Sequence, residues 1–148
     1  MPSTHTSLHI HVVFSTKDRL PLIDPSWRGD LHGFLGGCLK RLDAFPQEIG
    51  GVADHVHLLV GIKPVHAIAD LVREVKRVSS AWIKEDQRVR RFAWQEGYGA
   101  FSVSGSGMEA VRRYIRDQER HHRRRTFQDE YREFLEKHAI DFDERYLW

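Results

Sequence analysis

Residues 50–62 read GGVADHVHLLVGI, and this stretch decides both the fold and the chemistry that we expect. The apolar run with alternating histidines predicts a β-strand over 54–62, and the paired glycines before it predict a hairpin from an earlier strand. Successive side chains of a strand point to opposite faces. His55 and His57 therefore share one face, and the apolar residues between and after them share the other. Two imidazoles converge on one side of a sheet.

A tyrosine and a glutamine on a later predicted helix can complete a site with these histidines. Tyr114 and Gln118 are four residues apart, so their side chains project from the same side of a helix. Neutral imidazoles and an amide oxygen would hold a divalent cation that stays electrophilic toward a phosphate. A phenol with an ordinary pKa of about 10 is a weak nucleophile unless a nearby cation or base favours phenolate. The pattern predicts metal-assisted attack by Tyr114 on a phosphodiester.

Each of these assignments has a competitor in the same chain. His9 and His11 repeat the His-X-His spacing on another predicted strand. They could contact the metal ligands, face a nucleic acid or be structural, and a His-X-His on a strand is often simply a polar or core pair. Tyr98, in a Gly-Tyr-Gly stretch, is the competing nucleophile, but it has no ligand partner at helical spacing. We therefore prefer Tyr114.

The remaining pattern predicts the element order βαββαβ followed by helices. Strands are predicted over 8–14, 45–52, 54–62 and near 100–103, and helices over 25–42, 65–86, 108–124 and 126–138. The Asp24-Pro25 pair marks the start of the first helix, and Thr126 suits the N-cap of the last. This order predicts an α+β fold, a ferredoxin-like antiparallel sheet with helices packed mainly on one face.

Length and composition indicate one globular domain over residues 1–148, with a C-terminal helix and tail near 126–148. The chain is 41% hydrophobic and 30% charged. Cys38 is the only cysteine, which excludes an intrachain disulfide and a cysteine-rich zinc site. The sequence shows no secretion leader and no apolar run near the roughly 20 residues that span a bilayer. We expect a cytoplasmic, DNA-associated protein without a membrane segment.

Charge is segregated along the sequence although the formal net charge is only +2. Residues 111–125 hold seven arginines against two acidic residues, whereas 126–148 hold seven acidic residues against three basic ones. A basic helix that carries the nucleophile suits a polyanionic substrate, although such runs are often solvated helix faces or pair with an acidic segment. Candidate DNA contacts are Lys17, Arg19, Lys76, Arg77, Arg112, Arg116 and Arg120.

Five segments in this order resemble a known family. They are HVVFSTKDRLPLI (11–23), GGVADHVHLLVGI (50–62), LVREVKRVSSAWI (71–83), WQEGYGAFSVS (94–104) and VRRYIRDQERHHRRRTFQDEY (111–131). The chain resembles the single-domain tyrosine HUH transposases of the smallest bacterial insertion sequences, including the REP-associated tyrosine transposases. The flanks of His55 and His57 carry the family pattern, and those of His9 and His11 do not.

The resemblance implies a role for each candidate residue. His55 and His57 would be the metal ligands, Gln118 would complete the metal site and Tyr114 would be the nucleophile. The family cuts single-stranded DNA, keeps the 5′ phosphate as a phosphotyrosine link and releases a 3′ hydroxyl that can later attack that link. The implied cofactor is Mg²⁺ or Mn²⁺, since phosphodiester chemistry suits hard ions, and no nucleotide cofactor is required.

The resemblance also implies partners and alternatives. Family members recognise single-stranded DNA with hairpin ends and are homodimers with both active sites at the interface, so Tyr114 could act in cis or in trans. The alternatives are a domesticated DNA-binding protein, a replication-initiator-type HUH nuclease and a metal-dependent hydrolase that uses activated water. The short chain and the intact Tyr114 favour the transposase.

Overall fold

The computed structural model describes residues 3–121 and 125–141. Its strands are β1 (His9–Ser15), β2 (Phe45–Val52), β3 (His55–Gly61) and β4 (Gly99–Val103). Its helices are α1 (Pro25–Arg41), α2 (Ile68–Asp86), α3 (Met108–Arg116), α4 (Gln118–His121) and α5 (Phe127–Lys137), with 3-10 turns at Lys17–Arg19 and Gly105–Gly107. The predicted order of elements is therefore confirmed. None of the described helices is long and apolar enough to cross a bilayer.

The four strands form one antiparallel sheet in the order β2-β3-β1-β4. This is the predicted ferredoxin-like arrangement, in which β1 lies between β3 and β4 and β2 is an edge strand. The register of β1 against β3 places Val13 opposite His57 and Ser15 opposite His55. Residues opposite one another share a face, so the odd-numbered positions of β1 lie on the histidine face.

The two faces of the sheet are covered by different helices. The face opposite the histidines packs under α1 and α2, and its buried sheet residues include Ile10, Val12, Phe14, Val56, Leu58 and Val60. The histidine face packs against α5 through a second core that joins Val13 and Phe101 to Phe127, Tyr131 and Leu135. The two long helices thus share one face, as predicted, and the site lies beneath the shorter C-terminal helices.

The predicted helix starts form as the sequence indicates. The Asp24 side chain accepts a hydrogen bond from the backbone N–H of Ser26, and the Thr126 hydroxyl accepts one from the backbone N–H of Asp129. Each bond satisfies a donor that a helix N-terminus leaves without an intrahelical partner. These caps define where α1 and α5 begin.

The helix predicted over 108–124 is interrupted. Helix α3 ends at Arg116, Asp117 has a non-helical ψ of 22°, and α4 starts at Gln118. Residues 122–124 of the predicted helix lie outside the described part of the chain. Ile115 is fully buried just before the break, so packing fixes α3 while the backbone changes direction after it.

Helix α3 rests directly on the backbone of the edge strand. A Cβ atom added to Gly50 would lie 2.4 Å from the Ile115 carbonyl oxygen and 2.8 Å from its Cγ2 atom. Backbone cannot move aside as a flexible side chain does, so only glycine permits this approach. The position of the helix that carries Tyr114 therefore depends on Gly50.

We predict that Gly50→Ala lowers the free energy of unfolding by about 1–3 kcal/mol, the range expected for overpacking. Gly33→Ala is the matched control, because nothing lies within 4 Å of a Cβ atom at that position of α1. The control should raise the free energy of unfolding by up to about 1 kcal/mol through helix propensity. Urea unfolding followed by circular dichroism measures both, and equal effects would contradict the contact.

Candidate active site

His55 and His57 form a fully buried pair on β3, and both face the same carboxylate. The Nε2 atom of His57 lies 2.9 Å from Glu130 Oε1, and the Nε2 atom of His55 lies 3.6 Å from the same oxygen. Glu130 projects from α5, which crosses the histidine face. The structure thus brings a third side chain to the two predicted metal ligands.

Glu130 was not among the candidates from the sequence, although a signal for it exists. It is three residues after Phe127 and four before Phe134, so it falls within the apolar stripe of α5. The side chain is only 3% exposed. A carboxylate at a core-facing helix position is unusual unless it is paired, and this pattern could have identified it.

Gln118 lies beside the histidine pair. Its Oε1 atom lies 3.2 Å from His55 Nε2, and its Nε2 atom donates to the backbone carbonyl oxygen of Tyr114 at 3.2 Å. Because an amide N–H of Gln118 bonds to the Tyr114 carbonyl, the amide oxygen is directed at His55. Gln118 therefore presents an oxygen donor beside the histidine pair.

Tyr114 also enters the site, through the second oxygen of the same carboxylate. Its hydroxyl donates to Glu130 Oε2, and its ring lies edge-on to His57 with centroids 5.7 Å apart. Burial raises the pKa of Tyr114 well above its ordinary value, and the negative charge of Glu130 raises that pKa further. The protein's own groups therefore keep the phenol protonated at neutral pH.

The Nδ1 atom of each histidine has its own hydrogen-bond partner. The Nδ1 atom of His57 lies 2.8 Å from His11 Nε2, and the Nδ1 atom of His55 lies 2.7 Å from Asp54 Oδ1. Burial, followed by the charge of His57, lowers the pKa of His11 well below its ordinary value. His11 is thus a neutral partner that orients His57.

Two of the competing residues, His9 and Tyr98, lie apart from this cluster. The Nδ1 atom of His9 has no hydrogen-bond partner among the described residues, and His9 lies opposite Gly61 at the far end of β1. Tyr98 packs on the core beneath α1 and α2, on the other face of the sheet. The geometry therefore groups Tyr114, rather than Tyr98, with the histidines, and of His9 and His11 it brings His11 into contact with His57.

The donors can accommodate a divalent cation. One ligand atom each from His55, His57 and Glu130 lie within 4.8 Å of one another, and all three residues are buried. The Gln118 oxygen adds a further donor beside them. Two imidazole nitrogens with a carboxylate and an amide oxygen suit a first-row or hard divalent ion, and a cation would offset the cost of burying a carboxylate.

Three candidate DNA contacts lie near the site. Arg112 donates to Gln47 at 2.5 Å and Arg116 pairs with Glu48, so both bind the edge strand β2. Arg120 is exposed on α4. Of the basic run that follows, residues 122–124 lie outside the described part of the chain.

The other four candidate contacts are dispersed. Lys76 and Arg77 lie on α2, across the sheet from the histidines. The Lys76 ammonium donates to carbonyl oxygens of Gln95 and Gly97 at 2.8 and 2.5 Å, and burial lowers its pKa to about 8. Arg77 pairs with a glutamate on its own helix. Lys17 and Arg19 lie on the turn after β1. All seven contacts stay predictions.

Comparisons with known proteins give a family from the sequence and similar folds among solved structures. The profile of a family described as "Transposase IS200 like" matches residues 4–118. A candidate transposase from Deinococcus radiodurans R1 is similar in structure, with a TM-score of 0.66 and 22% identity over 80% of this chain and 95% of that one. A REP-associated tyrosine transposase bound to a REP hairpin has a TM-score of 0.57 and 10% identity over 79% and 72%. No curated protein matches the chain with significance.

We predict that His11→Leu weakens Mn²⁺ binding by about 10–100-fold, as is typical when a residue that orients a ligand is lost. Leucine retains apolar packing against the neighbouring rings but cannot hold the Nδ1 atom of His57. His9→Leu, two positions along the same strand, is the matched control and should leave the affinity unchanged. Isothermal titration calorimetry measures both, and equal affinities would show that His11 does not act through His57.

Proposed function

Because the chain belongs to the IS200-like transposase family, we propose that it cleaves and rejoins single-stranded DNA through a 5′-phosphotyrosine intermediate. The observation that carries the proposal is the convergence of a tyrosine hydroxyl and two histidines on one buried carboxylate. A nucleophile and a set of metal donors within one small site are what phosphodiester transfer requires. In this proposal the reaction excises and inserts a small mobile element.

In the cleavage step the Tyr114 oxygen attacks the scissile phosphorus. A phosphorus–oxygen bond to Tyr114 forms, the bond to the 3′ oxygen breaks, and the 3′ oxygen leaves as a hydroxyl after gaining a proton. Glu130 accepts the hydrogen bond of the phenol and is placed to take its proton. Rejoining is the reverse, with a 3′ hydroxyl attacking the phosphotyrosine. The number of ester bonds is conserved, so the reaction needs no nucleotide cofactor.

The proposed cation, Mg²⁺ or Mn²⁺, would be held by His55, His57 and Glu130 with Gln118, and when bound it polarises the phosphate and stabilises developing negative charge. The two oxygens of Glu130 have separate neighbours, since Oε1 faces the histidines and Oε2 faces the phenol. Burial and the charge of Glu130 raise the pKa of Tyr114. These two effects outweigh the positive charge of Arg125, which lowers that pKa. We therefore expect activation of the phenol to need the additional positive charge of a bound cation.

The proposed substrate is single-stranded DNA with hairpin ends. The structural relative bound to a REP hairpin supports this choice, as does the excess of arginine in residues 111–125. We also propose a homodimer. Tyr114 lies beside the histidines of its own chain in this structure, so the arrangement described corresponds to a nucleophile in cis.

A DNA-binding protein that does not cleave is the second candidate. The observation in its favour is that helix α5 covers the histidines and engages the phenol through Glu130. Such a protein would bind hairpin DNA without forming a covalent link. The adduct experiment below separates the two candidates.

We predict that the protein forms a covalent adduct with labelled single-stranded hairpin DNA from the ends of its element in the presence of Mn²⁺, and that EDTA prevents it. Tyr114→Phe should abolish the adduct and keep DNA binding, because only the attacking oxygen is lost. Tyr98→Phe is the matched control and should react normally. A denaturing protein gel gives the readout. An adduct with Tyr114→Phe would exclude Tyr114 as the nucleophile, and binding without any adduct would favour the second candidate.

We predict that His57→Ala eliminates the Mn²⁺-dependent adduct, since it removes a donor and the contact to Glu130. His9→Ala should retain the reaction, because His9 lies at the other end of β1. Adduct yield at increasing Mn²⁺ concentration is the measurement. Full activity of His57→Ala would place the cation elsewhere.

A further inference from the structure

A cavity adjoins the candidate active site at the β2 edge of the sheet. It is a cleft of about 710 Å³, within the range of roughly 300–1,000 Å³ that ligand pockets occupy. Its walls are the first turns of α1, which lies on one face of the sheet, and the end of α3 with α4, which lie on the other. Gln118 lines the cleft and also contacts His55. One side chain therefore separates the cleft from the histidine pair.

Two side chains of α1 that line this cleft, Arg28 and His32, can each donate a further hydrogen bond. The Arg28 side chain is only 13% exposed, and its NH1 atom donates to Glu119 Oε1 at 2.9 Å. Among the described residues, neither Arg28 Nε nor His32 Nε2 has a hydrogen-bond partner, although both atoms are buried. Buried polar atoms without a partner are uncommon in native proteins and point to a missing ligand or water.

Three arginines line the cleft against two acidic residues, so its charge is slightly positive and favours an anionic ligand; the acidic residues are Asp117 and Glu119. Burial and the positive charge of Arg28 lower the pKa of His32 to about 4, so its imidazole is neutral and can donate a single hydrogen bond. Arg28 is therefore the buried cation of this wall, and Arg116 and Arg120 lie at the opposite wall. A guanidinium matches the geometry of a phosphate oxygen pair.

The present partner of Arg28 is replaceable. The Glu119 side chain is 70% exposed, so it can turn into solvent at small cost, whereas Arg28 is held among buried groups. Ion pairs with an exposed member contribute little stability, about 0–1 kcal/mol. Glu119 thus holds Arg28 in place without blocking a stronger anion.

We propose that this cleft binds a phosphodiester of the single-stranded DNA next to the one that Tyr114 attacks. Arg28 and His32 donate to its oxygens, and Glu119 is the counter-ion that the DNA displaces. The inference rests on the proposed function and adds to it a substrate contact on α1. In this proposal the DNA strand runs from the histidine pair past Gln118 and around the β2 edge of the sheet.

The test compares two variants that break the same ion pair from opposite sides. Fluorescence anisotropy of a labelled oligothymidine in EDTA measures binding without metal or cleavage. Arg28→Gln should weaken binding roughly tenfold, the effect of losing a charged hydrogen bond, and should reduce the slope of log K against log salt by about 0.7 for one phosphate contact. Glu119→Gln should strengthen binding, because it removes the competing carboxylate.

A merely structural ion pair predicts a different result. Both variants would then lower the melting temperature alike and would change DNA binding in the same direction. Arg73→Gln is the matched control for loss of charge, because Arg73 pairs with Asp70 on the exposed side of α2. It should leave binding nearly unchanged, and Arg28→Lys should recover part of the lost affinity.

The outcomes separate this inference from the proposed function. Equal affinity of Arg28→Gln and the unaltered protein would overturn the cleft as a DNA site, and the Tyr114 adduct would still stand. Weaker binding by both Arg28→Gln and Glu119→Gln would also overturn it. Failure of the unaltered protein to form any adduct, with opposite shifts in the two variants, would support the cleft and overturn the cleavage reaction.

Discussion

One buried carboxylate connects the parts of this site. Glu130 joins α5 to the histidines of β3 through one oxygen and to the tyrosine of α3 through the other. Burying a charge is costly unless it is paired and hydrogen-bonded, so the packing of α5 on the sheet is favourable only while these partners are aligned. The second core of Phe127, Tyr131 and Leu135 supplies the apolar part of that packing. The proposed chemistry and the docking of α5 on the sheet thus depend on the same few contacts of Glu130.

The register of the sheet determines which side chains lie behind this carboxylate. Because β1 and β3 are antiparallel neighbours, the two His-X-His sequences lie on the same face. The offset between them brings His11 to His57, while His9 falls at the other end of the strand. Two motifs of the same spacing therefore come to lie in different surroundings through strand pairing. On the opposite face the same strands provide the apolar core under α1 and α2.

The periodicity of the sequence was sufficient to predict the strands, their faces and the helix starts, because these follow from alternation, spacing and capping residues. Spacing also grouped Tyr114 and Gln118 with His55 and His57, and the resemblance added an expected role for each. Neither line of reasoning identified Glu130, although the resembling segment 111–131 includes it. An acidic residue in an acidic segment is readily taken as solvated until the apolar stripe around it is considered. The break at Asp117 was not predicted either, since no glycine or proline marks it in the sequence.

The contact of α3 with Gly50 has a consequence for how the two halves of the site can vary. Backbone meets backbone there, so the contact of α3 with the sheet, and not α5, fixes the position of Tyr114. The match to the family ends at residue 118, just after that helix, whereas Glu130 lies on a separate segment. The site therefore has two parts, an anchor on β2 that fixes the position of the Tyr114 hydroxyl and a covering helix whose carboxylate raises its pKa. A substitution in α5 would accordingly change the acidity of that hydroxyl while α3 keeps its place on the sheet.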